Sequence, residues 1–317
     1  MRGEVDPIGV GQLCSTLRRL RPDVVHMHTS HAHTLGVIAS LLTGIGRRIV
    51  SRRVDFSIHR HRFGLSSFKY RRGVDRYIAI SRAVRAALVE DGIPEERISL
   101  VYSGVDPSRF VGGDGRKARE ELRVEPHAPL VGTVAHFGWH KSIETLIAAA
   151  EHIIAAVPEA VIAIIGDGDL RPGLEAERER SPVRDRIVMP GFRDNVADYL
   201  RAFDVFTMPS VMEGLCTSIL DAFAVRVPVA ACAAGGIPEL VEDGVTGLLC
   251  EPRNPRALAQ VIIRLLKDRA LARNLAEGGH RKVLSSFTHD SMVDGTIAVY
   301  RDVLDRVSHA NGRAGTP

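Results

Sequence analysis

The chain has 317 residues, of which 45% are hydrophobic and 25% are charged. Its length favours two domains, and its composition is ordinary for a folded soluble protein. No apolar run reaches the roughly 20 residues that a transmembrane helix needs. The first residues, MRGEVDPIGV, lack the basic and then apolar pattern of a signal peptide. We therefore expect a cytoplasmic protein.

The net charge of +4 is unevenly distributed, because residues 47–76 contain ten basic residues and only two acidic ones. One interpretation is a solvated basic face. The other is a surface for anionic lipid headgroups or a phosphate-bearing acceptor, which would bring the protein to the inner face of the cell membrane. Nucleic acid is not an expected partner, because the segment has few interleaved aromatic residues and matches no reader motif.

Short apolar segments alternate with longer amphipathic ones, which is the pattern of βαβ units and parallel sheets. In chain order, the first part predicts helix 8–20, strand 23–28, helix 32–43, strands 47–51 and 76–81, helix 82–91 and strand 98–104. The polar, Gly-rich residues 106–128 follow, and they predict a linker that contains helix 115–123.

The second part continues the alternation more regularly. The predicted strands are 129–137, 160–168, 186–192, 204–210, 227–234 and 246–252, and the predicted helices are 143–157, 170–180, 194–202, 214–225, 237–242, 255–267, 269–285 and 289–307. We assign 1–112 to a first Rossmann-like lobe, 113–288 to a second, 289–307 to a helix that crosses back, and 308–317 to a disordered tail.

The first lobe starts with a helix and has only about four predicted strands. A doubly wound lobe normally starts with a strand that leads into a Gly-rich turn. We therefore expect the first lobe to be incomplete and the natural protein to carry about 50–70 further residues with that pattern.

Four histidines lie in the segment HMHTSHAH, and His26 and His28 share one face of a strand. His28, at the carboxyl end of the strand, and His31 are candidates for acceptor contact. Structural histidines are the alternative, and a zinc site lacks an obvious further ligand. The four cysteines, Cys14, Cys216, Cys232 and Cys250, are widely spaced, and we expect reduced core thiols.

A pair of carboxylates in MEGLCTSILDAF, residues 212–223, is the strongest functional signal. Glu213 follows the buried strand 204–210, and ligands bind outside the carboxyl ends of such strands. Gly214 allows close approach to the backbone, and the following helix start suits phosphate. Asp221, about two turns into that helix, could accept hydrogen bonds from a ribose. Together these features predict a nucleotide-sugar site.

The segment PSVMEGLCTSILDAFAVRVPVAACAAGGIPELVEDGVTGLLCEP resembles the donor-lobe core of retaining glycosyltransferases of family 4. The segment VGTVAHFGWHKSIETLIAAA resembles the opening of that lobe, and AIIGDGDLRPGLE and IVMPGFRDNV fit between them. The resemblance covers roughly residues 20–305. It implies an α/β protein of the GT-B fold, with two Rossmann-like doubly wound lobes facing a cleft.

The resemblance also implies roles for individual residues. Glu213 would contact the donor sugar, Asp221 the ribose, and Lys141 with His136 the diphosphate, while the backbone of Gly214, Leu215 and Cys216 would hold phosphate. Gly166, Gly235 and Gly236 would line the donor site, although ordinary turns are the alternative. Glu213, Lys141 and His28 are the catalytic candidates, and His31, Arg52, Arg53 and Asp55 are the acceptor-side candidates.

Several residues depart from the family pattern. Asp221 stands where a second Glu is usual, His136 where Arg is usual, and Ser142 where Gly is common. A neutral histidine gives up a fixed positive charge at the diphosphate. Many family members also carry a histidine after the strand that matches 47–51, whereas this chain has Arg52 and Arg53 there.

The resemblance implies a retaining, metal-independent glycosyltransferase without a cofactor. It would transfer a sugar from a nucleotide diphosphate, UDP before GDP, to a glycan or lipid-linked acceptor in the synthesis of polysaccharide, lipopolysaccharide or glycolipid. Two alternatives remain: a non-catalytic nucleotide-sugar-binding protein and a nucleotide-sugar epimerase. The segment GDGDL is a weak dinucleotide signal because a third glycine is missing.

Overall fold

A computed structural model of the chain describes residues 6–54 and 73–312. The chain divides into two compact units. Residues up to Tyr102 and those from Asp290 onward form the first, and Ser103–His289 form the second. The sequence-based boundary between residues 112 and 113 lies further along the chain than this division.

All ten predicted strands are present in the described residues, each within a few residues of its predicted bounds. They form two separate, entirely parallel sheets, one in each unit. The strands are β1 (Val24–Met27), β2 (Arg47–Arg52), β3 (Arg76–Ala79), β4 (Ile98–Leu100), β5 (Leu130–Val134), β6 (Val161–Ile165), β7 (Ile187–Gly191), β8 (Val205–Met208), β9 (Val229–Cys232) and β10 (Leu248–Cys250).

The predicted helices are confirmed as well. Their bounds are α1 (Pro7–Leu20), α2 (Ser30–Thr43), α3 (Arg82–Glu90), α4 (Gly115–Glu121), α5 (Ile143–Ala156), α6 (Arg171–Arg180), α7 (Val196–Ala202), α8 (Thr217–Ala224), α9 (Ile237–Leu240), α10 (Pro255–Lys267), α11 (Arg269–Ser286) and α12 (His289–Gly312). None of these helices, within the described residues, is both long enough and apolar enough to span a bilayer.

Side-chain caps determine where several of these helices begin. Asp6, Thr29 and Ser81 precede α1, α2 and α3, and each side chain accepts a hydrogen bond from a backbone amide of the first turn. Such caps satisfy amide groups that have no partner within the helix. The caps of α2 and α3 lie two residues after the ends of β1 and β3, so these two strand-to-helix turns are short.

The first sheet has the order β1-β2-β3-β4. The helix α12 begins at the end of the second unit, and its side chains Val299 and Val303 pack with Ile49 and Ile78 in the core of the first unit. The helix extends to Gly312, beyond the predicted end at 307 and into the segment for which disorder was expected. Residues 313–317 lie outside the described residues.

The second sheet has the order β7-β6-β5-β8-β9-β10. Counted from the first strand of the unit, this is the order 3-2-1-4-5-6 of a doubly wound nucleotide-binding fold. The winding direction reverses between β5 and β8, which lie side by side with Val131 opposite Val205. Loops that leave the carboxyl ends of these two strands therefore diverge and open a crevice between them.

The residues that the sequence predicted as a linker are part of the second unit. Gly115 packs so closely on α7 that an added Cβ would lie 2.7 Å from the carbonyl oxygen of Arg201. Arg119 donates to the carboxylate of Asp204 at 2.9 Å and to the carbonyl of Ala202 at 2.8 Å. These contacts anchor α4 to the second unit, although its sequence is polar and exposed.

Three residues of the basic segment 47–76 are engaged inside the first unit. Arg47 and Arg48 form ion pairs with Asp75 at 3.8 Å and 3.0 Å, and Arg76 is buried against Asp302. Residues 55–72 of the segment, with Asp55, lie outside the described residues. The predicted basic surface therefore loses part of its charge to internal pairing.

Candidate functional site

Two loops meet at the point where the second sheet changes direction. The first follows β5 and ends in a 3₁₀ turn over Trp139–Lys141, and the second follows β8 and leads into α8. The amide of Val211 donates to the carbonyl of His140 at 2.9 Å, which ties the two loops together. The segments that carried the family resemblance therefore come together at the expected ligand-binding edge.

An ion pair joins these loops at their centre. The ammonium group of Lys141 contacts Oε1 of Glu213, and the two side chains are only 14% and 7% exposed. The hydroxyl of Ser210, which is fully buried, donates to the same carboxylate oxygen at 2.7 Å. The structure thus brings together two of the three predicted catalytic residues, and it adds Ser210, which the sequence analysis missed.

Burial and charge oppose each other at Lys141. Burial lowers the pKa of its ammonium group, but Cys216 and Glu213 raise it by more, so the net pKa lies above its ordinary value. Burial, with help from Glu213, raises the pKa of the Cys216 thiol well above its usual range. The Cys216 thiol is then neutral at physiological pH and does not attract the ammonium group. The Glu213 carboxylate therefore provides the attraction that keeps Lys141 a cation.

The turn into α8 has an unusual backbone. Cys216 directly precedes the helix with φ at 42°, a left-handed conformation that a residue with a side chain rarely adopts. Gly214, Leu215 and Cys216 are all buried. Within the described residues, the backbone amides of residues 215–218 donate no hydrogen bond. These amides, at a helix N-terminus beside Lys141, are suited to bind an anion.

The turn into α5 shows the same feature, at the position where the family resemblance implies a glycine. Ser142 has φ at 49°, which favours glycine. Its hydroxyl lies 2.8 Å from that of Thr145 and donates to Glu144 at 3.1 Å. The serine therefore holds the conformation that a glycine would adopt without strain, and it adds hydrogen bonds in return.

Asp221 lies on α8, and its carboxylate makes no hydrogen bond to the described residues. Burial raises its pKa to about 6, although the charge of Arg109 acts in the opposite direction. Arg109 comes from the 3₁₀ turn Pro107–Phe110, which Asp106 caps by accepting from the amide of Ser108 at 2.9 Å. This turn lies in the segment 106–128 that was predicted as a linker, and Arg109 was not among the predicted site residues.

Two further donor-side candidates, His136 and Gly166, lie near the ends of β5 and β6. His136 is exposed and lies near the backbone of Gly168. Gly166 has φ at 140°, and an added Cβ would lie 1.8 Å from the carbonyl oxygen of Ala135. Packing of β6 against the end of β5 is therefore sufficient to require a glycine there.

The paired glycines after β9 are tied directly to the ion-pair loop. Gly235 has φ at 51°. The amide of Gly236 donates to the carbonyl of Glu213 at 2.8 Å, and an added Cβ would lie 2.2 Å from the carbonyl oxygen of Gly214. Gly236 thus holds the loop that carries Glu213.

A histidine cluster marks the carboxyl end of the first sheet. The ring nitrogens of His26 lie 2.7 Å from the Tyr300 hydroxyl and 2.8 Å from the Ser51 hydroxyl, and its ring lies 4.0 Å from that of His28. Burial, His28 and Arg53 lower the pKa of His26 to about 4. His26 is therefore a neutral structural residue. Its contact with His28 confirms that the two rings share one face.

Of the acceptor-side candidates, His31, Arg52 and Arg53 lie in the described residues. His28 is exposed, and burial followed by Arg53 lowers its pKa. His31 is exposed at the start of α2, and Arg52 ends β2. Asp55 lies outside the described residues, so its predicted role stays a prediction. Among the described residues, no cluster of three or more histidine, cysteine or acidic side chains is arranged to hold a metal ion.

The buried ion pair leads to a stability prediction for Lys141→Met, Glu213→Gln and the double variant. Lys141→Met removes the cation from a buried carboxylate and should lower the free energy of unfolding by about 3–5 kcal/mol. Adding Glu213→Gln removes that charge but keeps an acceptor for Ser210, so the double variant should be more stable than Lys141→Met alone. Urea unfolding measures both. A double variant less stable than Lys141→Met would contradict the pairing.

Comparison with known families gives two matches that lie in different parts of the chain. Residues 128–268 match the family model "Glycosyl transferases group 1", and residues 2–109 match "Glycosyltransferase Family 4". The first match contains both Lys141 and Glu213. The second contains the histidine cluster residues His26 and His28.

Individual relatives support these family matches along nearly the whole chain. The N-acetyl-alpha-D-glucosaminyl L-malate synthase of Bacillus anthracis is 25% identical over 304 residues, which is 92% of this chain and 78% of that protein. The UDP-Gal:alpha-D-GlcNAc-diphosphoundecaprenol alpha-1,3-galactosyltransferase of Escherichia coli is 24% identical, with the same shares.

The fold also matches solved structures. The Anabaena protein HepE in complex with UDP-glucose superposes with a TM-score of 0.82 at 23% identity, over 96% of this chain and 84% of that one. At this identity the likeness concerns the fold. Together with the sequence matches, it shows that the chain belongs to family 4 of the glycosyltransferases and has the GT-B fold.

Proposed function

We propose that the chain is a retaining glycosyltransferase that uses a UDP-sugar donor. The observation that carries the proposal is the buried contact between Lys141 and Glu213, which lies at the point where the second sheet reverses direction. A nucleotide-binding sheet places its ligand at this point. The solved relative HepE contains UDP-glucose, which favours UDP over GDP.

The arrangement suggests how the donor is held. The amides at the start of α8 and the Lys141 cation bind the diphosphate. The Glu213 carboxylate accepts hydrogen bonds from sugar hydroxyl groups, and Asp221 accepts from the ribose. The charge of Arg109 opposes the effect of burial on the pKa of Asp221 and so favours the ionised carboxylate.

Transfer breaks the bond between the sugar carbon and the diphosphate oxygen, and negative charge grows on the leaving diphosphate. Lys141 stabilises that charge because it is already positioned and already positive before the bond breaks. We propose that this cation takes the place of a divalent metal and that the protein needs no resident cofactor. Retention of the anomeric configuration rests on the family resemblance.

The acceptor would bind at the carboxyl end of the first sheet. His28 and Arg53 offer a hydrogen-bonding ring and a positive charge there, which suits an acceptor with an anionic group beside a hydroxyl. The E. coli relative acts on a diphosphoundecaprenol-linked sugar, as its name states. We propose a glycan or lipid-linked acceptor of cell-surface synthesis. Contact of segment 47–76 with an anionic membrane stays a prediction.

The first test is hydrolysis of a panel of UDP- and GDP-sugars by the purified chain, with Glu213→Ala as the control and without added metal. We expect slow release of UDP from one sugar, no effect of a chelator, and loss of release in the control. The anomer of the free sugar, read by NMR at early times, tests retention.

The other outcomes separate the alternatives. Calorimetry could show that a UDP-sugar binds although no UDP is released, even with candidate acceptors present. That result would indicate a non-catalytic nucleotide-sugar-binding protein. Conversion of the donor into an epimer would indicate an epimerase. Neither binding nor release by the folded chain would refute the donor site.

The pKa of Asp221 predicts a pH dependence of donor binding. Because this carboxyl group is largely ionised at pH 7 and largely protonated at pH 5, UDP-glucose affinity should fall by about tenfold between these two pH values. Folding shows the opposite trend: the raised pKa stabilises the folded state below pH 4, and this contribution is lost as the pH rises through about 6.

Asp221→Asn should flatten both profiles, and calorimetry and urea unfolding across this pH range measure them. The diphosphate of UDP-glucose lacks the terminal phosphate group that titrates near pH 6, so the ligand itself adds no slope. An Asp221→Asn variant with the same pH profile as the parent protein would refute the assignment.

A further inference from the structure

Two cysteines that the donor site does not use lie side by side in the second sheet. Cys232 ends β9, Cys250 ends β10, and the two are direct partners in the parallel register. Their Sγ atoms lie 3.7 Å apart. Neighbouring strands are about 4.8 Å apart, which falls within the Cα separation that disulfides span.

We propose that Cys232 and Cys250 are a redox modification site, a dithiol that a low-molecular-weight disulfide oxidises to an intrachain disulfide. Partner residues in a parallel pair project from the same face of the sheet, so both thiols already point the same way. A rotation about the Cα–Cβ bonds brings the sulfur atoms into bonding distance.

The two thiols differ in solvent exposure, and this difference determines which of them reacts with the oxidant first. Cys250 is half-buried, whereas Cys232 is fully buried. The hydrogen bond shared with Cys232 lowers the pKa of Cys250, more than burial and Glu251 raise it. The reachable thiol is therefore also the more readily ionised one, which makes Cys250 the first to react.

The reaction balances with one molecule of oxidant. The Cys250 thiolate attacks one sulfur of the oxidant, forms a mixed disulfide and releases one small thiolate. Cys232 then attacks Sγ of Cys250 and releases the second, and the two protons lost from the cysteines end on the two small thiols. The protein dithiol is oxidised and the small disulfide is reduced.

The second step is assisted by the first. The hydrogen bond shared with Cys250 is the main cause that raises the pKa of Cys232, ahead of burial, and the Cys250 charge adds to it. A mixed disulfide at Cys250 removes both of these effects. Since the two sulfur atoms are already adjacent, closure of the disulfide should outpace attack by a second molecule of oxidant.

Formation of the disulfide should also weaken donor binding, and this part of the inference rests on the proposed function. Directly after Cys232, the amide of Ala233 donates to the carbonyl of Cys250 at 2.8 Å. Three residues further on, Gly236 donates to the carbonyl of Glu213. A shift of β10 toward β9 therefore displaces the loop that holds Glu213, and we expect UDP-glucose binding to weaken about fivefold or more.

The test incubates the folded chain with oxidised glutathione and alkylates the remaining thiols. Trypsin releases both cysteines in one peptide, residues 227–253, because no lysine or arginine lies between them. We expect this peptide to lose the mass of two hydrogen atoms, to escape alkylation, and to stay joined after a second cut at its glutamates. A thiol reductant should reverse all three changes.

Matched variants make the result specific. Cys232→Ser should trap glutathione on Cys250, and Cys250→Ser should leave Cys232 unmodified. The buried Cys14 and Cys216 serve as internal controls that should not react. A stable mixed disulfide at Cys250 in the unsubstituted protein, or no reaction at all, would overturn the site.

The effect of the disulfide on donor affinity is measured separately. UDP-glucose affinity is measured on the reduced chain first and then on the oxidised one. A disulfide that forms without changing this affinity would overturn the link to the donor loop. A reduced chain that binds no UDP-glucose would instead refute the proposed function, and the mass measurement would still decide the modification site.

Discussion

The contact between Lys141 and Glu213 is the interaction around which the loops of the second unit are arranged. Two opposite charges are held out of water, and each would be costly to bury alone. The fold offsets that cost by placing the pair at the ends of neighbouring strands and by adding the Ser210 hydroxyl to the carboxylate. The pair stabilises the crevice and keeps a positive charge ready for a phosphate ligand.

The surrounding backbone follows from this placement. The two loops must turn sharply from strand to helix, and both do so through a residue in the left-handed conformation, Ser142 in one and Cys216 in the other. Strained backbone of this kind concentrates at functional sites. Gly236 closes the arrangement, since only a glycine allows the third loop to approach Gly214. The site is thus a set of mutually supporting turns.

Much of this arrangement could be predicted from the sequence, because parallel strands buried on both faces give unmistakable apolar runs. The order of elements and the positions of Lys141 and Glu213 follow from that pattern and from the family resemblance. The ends of the strands do not follow from that pattern. Phe137 is fully buried and was assigned to a strand, yet it lies in a loop, because burial alone does not imply strand pairing.

Contacts between distant residues could not be predicted. The pairing of Arg119 with Asp204 turns an apparent linker into part of the second unit, and no local pattern announces it. Tyr300 reaches His26 from the far end of the chain. Arg109 sits in a polar turn that looks like any other. In each case the partner is set by tertiary packing, which periodicity and composition do not encode.

The role of the ion pair in donor binding is tested most directly by calorimetric titration of UDP-glucose into the double variant Lys141→Met, Glu213→Gln, beside the unsubstituted protein. The variant replaces both charges while keeping side chains of similar size, and its fold is checked independently by urea unfolding. If the pair forms the donor site, the folded variant should bind at least about tenfold more weakly, because charged hydrogen bonds to the ligand are lost. A folded variant that binds UDP-glucose with undiminished affinity would show that the pair is structural and that the donor site lies elsewhere.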